Sequence, residues 1–190
     1  SAPSITYTTS SVTFTDTTPI SVITPTNVGG SITSYSVTPA LPTGLSLNST
    51  TGIISGTPSG TSIATDYTIT ATNTNADSVT QTGTFVINIT VQALPVPSIV
   101  YSNPKTYYVN SPIIELIPAN SGGGNATYSV SPALPSGLTI NSSTGIITGT
   151  PTALLAAADY TVTATNISGS SEFIINIAVV VRPAGQPYLQ

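Results

Sequence analysis

Lys105, Glu115 and Asn176 are the three residue types that can together form an isopeptide bond inside one domain. In that reaction a Lys amine attacks an Asn side-chain amide, with an acid buried nearby, and ammonia leaves. Two features oppose this hypothesis. Asn176 alternates to the outward face of its strand, and its counterpart Asn88 has no lysine in its half of the chain. An intact mass short of one ammonia would support the bond.

Asp66 and Asp159 occupy equivalent places, each directly before a tyrosine. A carboxylate there could serve an active site, but paired-carboxylate chemistry needs two in one site and each half supplies one. We therefore expect each Asp to hydrogen-bond backbone amides of the loop at a strand start. The chain has no His or Cys, and no Gly-rich phosphate loop opens a helix. We expect no enzymatic activity, no cofactor and no metal site.

Three tyrosines, Tyr101, Tyr107 and Tyr108, cluster near the start of the second half. Exposed tyrosines could stack on a sugar or anchor a protein partner. Core packing or a contact between domains would also explain them. If the chain binds a ligand, these tyrosines and the segment Thr74–Thr84 are the places to look, because the two halves differ there.

Threonine rows and glycosylation triplets are weaker signals. A flat threonine array could suggest ice binding, but one row per module is too narrow, and β-branched residues suit any exposed strand. The two rows are Thr68, Thr70 and Thr72, and Thr161, Thr163 and Thr165. The N-x-S/T triplets would matter only in a eukaryotic secretory route, and they begin at Asn48, Asn88, Asn125, Asn141 and Asn166.

The composition excludes several classes of partner. Charged residues make up 4% of the chain, against about 25% in an average protein. The net charge is −4, and the only basic side chains are Lys105 and Arg182. Nucleic acids and anionic membranes attract clustered cations, so we expect neither as a partner. No apolar run is long enough to span a bilayer, so no membrane insertion is expected. The absence of Cys rules out disulfides.

An internal repeat organises the chain. Residues 35–73 align without a gap to residues 128–166, and 26 of the 39 aligned positions are identical. We therefore expect two domains, residues 1–94 (repeat 1) and 95–183 (repeat 2), with a polar tail at 184–190. The polar tail favours a piece cut from a longer chain. A short, proline-stiffened linker is predicted at Gln92–Pro97.

Hydrophobic alternation predicts about seven short strands per repeat and no obligatory helix. Tyr67, Ile69 and Ala71 should share an inward face, and the block at 39–58 should form a hairpin. A strand is expected at Ile20–Ile23, and connections at Thr74–Thr84 and Ile167–Glu172. Ala153–Ala158 could form one helical turn. The fold class is all-β: antiparallel Greek-key sandwiches.

The motif LPxGLxLNxxTGxIxGTP, followed by a DYTxTATN strand, resembles the Ig-like repeats that occur in tandem in long bacterial surface proteins. The resemblance covers residues 3–91 and 97–181. The composition, rich in Ser, Thr and Ala and poor in Lys, most resembles that of repeats in large adhesins of Bacteroidetes-type bacteria. It implies an extracellular Ig-like or cadherin-like sandwich at the bacterial cell surface and carries no catalytic residues. Cadherin domains bind calcium through acidic linker motifs, which are missing around Pro95–Pro97.

Two functions are consistent with these features. The first is a non-enzymatic structural spacer, part of an adhesin stalk whose partners are the neighbouring repeats of the same chain. The second is an adhesion module that binds a glycan or a surface protein through its loops and the three tyrosines. Loss of binding on changing the tyrosines to Ala would distinguish the two.

Overall fold

The computed structural model describes residues 1–74 and 76–185, and the chain divides into two compact units at the Leu94–Pro95 bond. The first unit is Ser1–Leu94. Most of the predicted tail, residues 186–190, lies outside the described part. The described residues form strands and turns with no helix, as the alternating sequence predicts.

The described residues of repeat 1 form eight strands. They are β1 (Ile5–Tyr7), β2 (Ser11–Thr15), β3 (Pro25–Asn27), β4 (Ser34–Thr38), β5 (Leu45–Leu47), β6 (Ile54–Gly56), β7 (Ser62–Thr74) and β8 (Thr80–Gln92). A four-stranded sheet has the order β2-β8-β7-β4, and two small sheets pair β1 with β3 and β5 with β6.

Repeat 2 has the same elements in the same order. They are β9 (Ile99–Val100), β10 (Lys105–Tyr108), β11 (Ala119–Asn120), β12 (Thr127–Ser131), β13 (Leu138–Ile140), β14 (Ile147–Gly149), β15 (Leu155–Asn166) and β16 (Gly169–Val180). The large sheet has the order β10-β16-β15-β12, and the small sheets pair β11 with β9 and β13 with β14.

The predicted antiparallel Ig-like sandwich is confirmed, with one exception in each unit. β2 runs parallel to the last strand β8, and β10 runs parallel to the last strand β16. All other strand pairs are antiparallel. Each repeat is therefore closed by a parallel ladder between a strand near its beginning and the strand at its end.

The inward faces follow the predicted alternation. Tyr67, Ile69 and Ala71 of β7 are buried, and so are Ile87, Ile89 and Val91 of β8. The hairpin block is also as expected, since Leu47 pairs with Ile54 and Leu45 with Gly56. Each core is completed from the small sheets, whose most deeply buried members are Ile54 in repeat 1 and Ile147 in repeat 2.

The hairpin block contains glycines that cannot be replaced without strain. Gly44 and Gly137 have φ values of 86° and 92°, in the left-handed region that L side chains rarely adopt. A Cβ at either position would also overlap a backbone carbonyl oxygen, that of Thr57 or Thr150. The LPxG element is thus a requirement of backbone geometry.

Several local predictions were wrong. Ile20–Ile23 forms only an isolated bridge, from Ile23 to Ile54, and the strand lies at Pro25–Asn27 instead. Ala153–Ala158 is not a helical turn, because β15 begins at Leu155. Strands occupy much of both predicted connections, since β7 ends at Thr74, β8 begins at Thr80 and β16 begins at Gly169.

The predicted linker is shorter than expected. Gln92 still belongs to β8, and Pro95 is already held by repeat 2, since Asn166 Nδ2 donates to its carbonyl oxygen at 2.8 Å. Asn73 Nδ2 holds the carbonyl of Ser1 in the same way at 3.0 Å. Each repeat thus packs its own leading residues, and only two residues, 93 and 94, separate the last strand from the next repeat.

Candidate binding groove

A groove of about 290 Å³ lies along the edge of repeat 2, between β10 and the segment 111–116. The polar and aromatic residues that line it are Lys105, Thr106, Tyr107, Tyr108, Ser111, Glu115 and Arg182. Both basic residues of the chain therefore line one groove, together with one of its six acidic residues.

Backbone hydrogen bonds fix the two walls of this groove. One wall is β10, whose residues Lys105 and Tyr108 are in parallel register with Ile177 and Val180 of β16. The other wall is tied to β14, because the Ile113 and Leu116 amides donate to carbonyl oxygens there at 2.9 and 3.0 Å. A tight turn at Asn110, with φ of 58°, joins the walls.

Arg182 enters the groove just after the last strand. Its Nη2 donates to Ser111 Oγ at 2.8 Å, and its guanidinium carbon lies 5.2 Å from the centroid of the Tyr108 ring. A cation over a tyrosine ring at this distance is attracted by the ring quadrupole. These contacts hold the guanidinium against the end of β10, and Tyr108 is half-buried beneath it.

Lys105 and Glu115 differ from Arg182 in having no partner within residues 1–74 and 76–185. Lys105 is half-buried and Glu115 is exposed, and neither side chain makes a hydrogen bond or ion pair there. Lys105 points inward, because it is in register with the buried residue Ile177 on the neighbouring parallel strand. The groove thus contains an ammonium group that has no partner among the described residues.

Tyr107 and Tyr101 have different environments. The Tyr107 hydroxyl is buried without a hydrogen-bond partner in the described chain, and burial raises the pKa of Tyr107 to about 12. Tyr101 is only 2% exposed, and its hydroxyl donates to the Gly145 carbonyl oxygen at 2.6 Å. Tyr101 belongs to the core beside Phe173 and does not line the groove, whereas Tyr107 and Tyr108 do.

The residues of the isopeptide hypothesis are not brought together. Asn176 Nδ2 donates to Asp159 Oδ1 at 2.7 Å on the outer face of the sheet, whereas Lys105 points inward. Glu115 is exposed, so it is not the buried acid that the reaction requires. The geometry gives the Lys amine no approach to the Asn amide.

The two equivalent aspartates have a role that the sequence did not predict. Asp66 and Asp159 lie inside β7 and β15, and each is paired directly across the sheet with an asparagine. Asn88 Nδ2 donates to Asp66 Oδ1 at 2.6 Å, as Asn176 does to Asp159. The predicted bond from each Asp to loop amides is therefore wrong, because the carboxylate is bonded across the strands instead.

Strand structure accounts for the threonine rows, and a turn accounts for two of the triplets. Thr70 is flanked in register by Ser36 on β4 and Thr84 on β8, so the polar array spans three strands rather than the single row expected. Asn48 Oδ1 accepts from the amides of Thr50 and Thr51 at 2.9 Å, which caps the hairpin turn. Asn141 does the same in repeat 2.

Repeat 1 has a groove in the same place, of about 420 Å³, and no charged residue lines it. The register shows which residues correspond, since Val12 pairs with Ile89 as Lys105 pairs with Ile177. The equivalent pairs, with repeat 2 first, are Lys105 and Val12, Tyr107 and Phe14, Tyr108 and Thr15, and Glu115 and Val22. The sequence pointed to Lys105 and the tyrosines but missed Arg182, whose contact with Ser111 joins positions 71 residues apart.

The described residues contain no candidate for two other kinds of site. No three of their Asp and Glu side chains come together as possible metal ligands. No helix among them is long and apolar enough to cross a membrane.

Comparison with known proteins agrees with the fold. The chain matches the family described as "Putative Ig domain" twice, over residues 2–90 and 96–181. It is 35% identical over 150 residues to a serine-rich adhesin for platelets from Staphylococcus aureus, and the aligned region covers 78% of this chain. The chain spans only 6% of the length of that relative, and 11% of the homologue from strain MRSA252.

Two solved structures show the same architecture. The immunoglobulin domains 1–5 of Sidekick-1 superpose with a TM-score of 0.64 at 11% identity, covering 94% of this chain and 40% of that one. A chimeric titin Z1Z2 that carries a peptide from decorin gives a TM-score of 0.54 at 14% identity, covering 96% and 100%. At such identities the likeness concerns the fold alone. With the family matched across both halves, the chain belongs to the Putative Ig domain family and consists of two tandem Ig-like β-sandwich domains.

Proposed function

We propose that this chain is a non-enzymatic spacer that resists tension, part of a long adhesin at the bacterial cell surface. The observation that carries the proposal is the parallel ladder that closes each repeat. The neighbouring repeats of the same parent chain would be its immediate partners. The S. aureus relative, of which the chain spans a small fraction, supports a place among many modules.

The parallel ladder gives each repeat resistance to tension. The chain enters the ladder of repeat 1 at Ser11, level with Asn88, and leaves it at Gln92, level with Thr15. Tension on the two ends therefore pulls the strands past each other along their length. All the bonds of the ladder bear the load together, whereas a peeling force would break them one at a time. The ladder of repeat 2, from Lys105 to Tyr108, has the same geometry.

The short connection between the repeats supports the same function. Pro95 is bonded to Asn166, and the Ser98 amide donates to Asn120 Oδ1 at 2.9 Å, so the leading segment is part of repeat 2. Few residues remain that could extend under load, and the length of a tandem array would be set by its folded units.

Single-molecule pulling tests this proposal. The chain has no cysteine, so handles can be attached at any engineered cysteine. Handles at the two ends should load the ladders in shear. Handles at Thr13→Cys and Thr90→Cys, which are register partners, should peel the ladder of repeat 1. We expect repeat 1 to unfold at a clearly higher force in the first geometry, because forced unfolding follows the unfolding rate of the loaded path. Equal forces in both geometries would refute the proposal that the spacer resists tension.

A second candidate function is ligand binding by the groove of repeat 2. One observation favours it. The groove of repeat 2 holds both basic residues of the chain together with Tyr107 and Tyr108, whereas its counterpart in repeat 1 is uncharged. A spacer repeat needs no such difference. Binding by the chain that is lost on Tyr108→Thr, which restores the residue of repeat 1, would support it.

A further inference from the structure

We infer that the groove of repeat 2 binds a sugar residue that carries a carboxylate. The inference rests on the second candidate function above and names its ligand class. Lys105 and Arg182 would lie beside the carboxylate, and Glu115 would accept hydrogen bonds from sugar hydroxyls.

The charged residues of the groove favour an acidic ligand. Two cations and one carboxylate line it, within a chain whose net charge is −4, and of the two cations Lys105 has no partner among the described residues. Lys105 is half-buried and unpaired within the described residues, and its Nζ is not among the buried polar atoms, so the ammonium group is open to a ligand. A carboxylate supplies a counter-ion through short charge-assisted hydrogen bonds.

The rest of the lining suits a sugar ring. Glu115 is exposed at the opposite wall and can accept hydrogen bonds from hydroxyl groups. The Tyr108 ring lies at the end of the groove, and the apolar face of a sugar ring can pack against it. At about 290 Å³ the groove is at the lower end of ligand-site volumes, enough for one or two sugar rings and short for an extended acidic peptide.

Lys105 has an alternative explanation that repeat 1 helps to exclude. An inward-pointing lysine on an edge strand discourages edge-to-edge aggregation. However, β2 forms the same edge in repeat 1, and the equivalent residue there is Val12. The fold therefore does not require a charge at this position, and Lys105 is accompanied by aromatic and charged changes that edge protection does not need.

The test is a calorimetric or NMR titration of the full chain with a methyl glucuronoside and with its methyl ester, which has the same shape without the charge. The methyl glycoside of N-acetylneuraminic acid is a second acidic probe, and oligoglutamate is a peptide probe. We expect saturable binding of at least one acidic sugar, with its neutral ester at least about tenfold weaker, the effect of losing one charge-assisted contact.

Two matched variants locate the site. Lys105→Val restores the residue of repeat 1, so it should fold, and it should weaken acid binding by about tenfold. Val12→Lys adds a lysine to the groove of repeat 1, which lacks the tyrosines and the arginine, and should create no second site. Thermal melting of both variants checks that they are folded.

Several results would overturn the inference. They are equal binding of acid and ester, tighter binding of oligoglutamate, no saturable binding of either acidic sugar, and equal gain of binding in the Val12→Lys variant. Increased self-association of Lys105→Val with unchanged binding would assign Lys105 to edge protection. Binding of a different ligand that is lost in the Tyr108→Thr variant would overturn only the proposed ligand class. No ligand among glycans and surface proteins would overturn the second candidate function itself and leave the spacer proposal to the pulling experiment.

Discussion

The two edge grooves of this chain have the same walls and different linings. In repeat 1 the walls present Val12, Phe14 and Val22, and in repeat 2 the equivalent positions are Lys105, Tyr107 and Glu115. The backbone hydrogen bonds that position the walls are the same, since the Ile20 amide bonds to β6 as the Ile113 amide bonds to β14. The difference shows that the edge of the sandwich tolerates charge, because the fold is specified elsewhere.

The features shared by both repeats indicate where the fold is specified. Ile54 and Ile147 are completely buried, and Tyr7 and Tyr101 each donate to a glycine carbonyl of the hairpin turn at 2.6 Å. A substitution at a shared position should therefore act equally in the two repeats. A substitution at a groove position should act in one repeat only.

The largest expected effect is at the shared core. Ile147→Ala should destabilise repeat 2 by about 3 kcal/mol, because it removes buried methyl and methylene groups and leaves a cavity. Ile54→Ala should destabilise repeat 1 by a similar amount. Urea unfolding, followed by amide NMR signals assigned to each repeat, measures the two stabilities separately. Costs that differ by more than about 1.5 kcal/mol would show that the two cores are not packed alike.

A smaller effect is expected at the shared tyrosine. Tyr101→Phe leaves the Gly145 carbonyl without its buried donor, so repeat 2 should lose about 1.5 kcal/mol. Tyr7→Phe is the matched variant, since it leaves the Gly52 carbonyl in the same condition in repeat 1. The same urea experiment measures both. If neither variant changes stability, these hydroxyl bonds do not secure the hairpin turn.

Much of the fold could be predicted from local sequence. The alternation of Tyr67, Ile69 and Ala71 predicted a buried face because the side-chain period of a strand is two residues. The strand Pro25–Asn27 could not be predicted, since Pro and Asn are poor strand formers and only pairing with Ile5–Tyr7 makes it one. The alanines at 156–158 favour helix by propensity, but the antiparallel pairing of β15 with β16 overrides it.

The candidate site was predictable only in part. Lys105, Tyr107 and Tyr108 are close in sequence and differ from repeat 1, so comparison of the repeats exposed them. Arg182 reaches Ser111 across 71 positions of the chain, and no local pattern predicts that contact. Tyr101 showed the reverse problem, because proximity in sequence grouped it with two groove residues while the sandwich places it in the core.

The smallest expected effect is at the groove and has the opposite sign. Tyr107→Phe restores the residue of repeat 1 and removes a buried hydroxyl that has no partner among the described residues. At neutral pH repeat 2 should become more stable by about 0.5–1 kcal/mol, because an unpaired buried polar group is costly. Tyr101→Phe is the control, since the same chemical change there should destabilise. A loss of stability in Tyr107→Phe would mean that the hydroxyl is bonded in solution.

Alkaline titration of the same variant sharpens the contrast. Burial raises the pKa of Tyr107 to about 12 from an ordinary value of 10.0, so the unfolded chain loses this proton first. The ionisation of Tyr107 therefore costs repeat 2 no stability below pH 10, and repeat 2 loses stability as the pH rises towards 12. Tyr107→Phe should make the loss of repeat 2 stability above pH 10 less steep, by at most one proton. The change should be well below that limit because the ring is only half-buried and solvent reduces the shift. Repeat 1 has Phe14 at the equivalent position, and its alkaline stability should be the same in the Tyr107→Phe variant as in the unchanged chain. An unchanged slope in repeat 2 would mean that the Tyr107 hydroxyl is solvated.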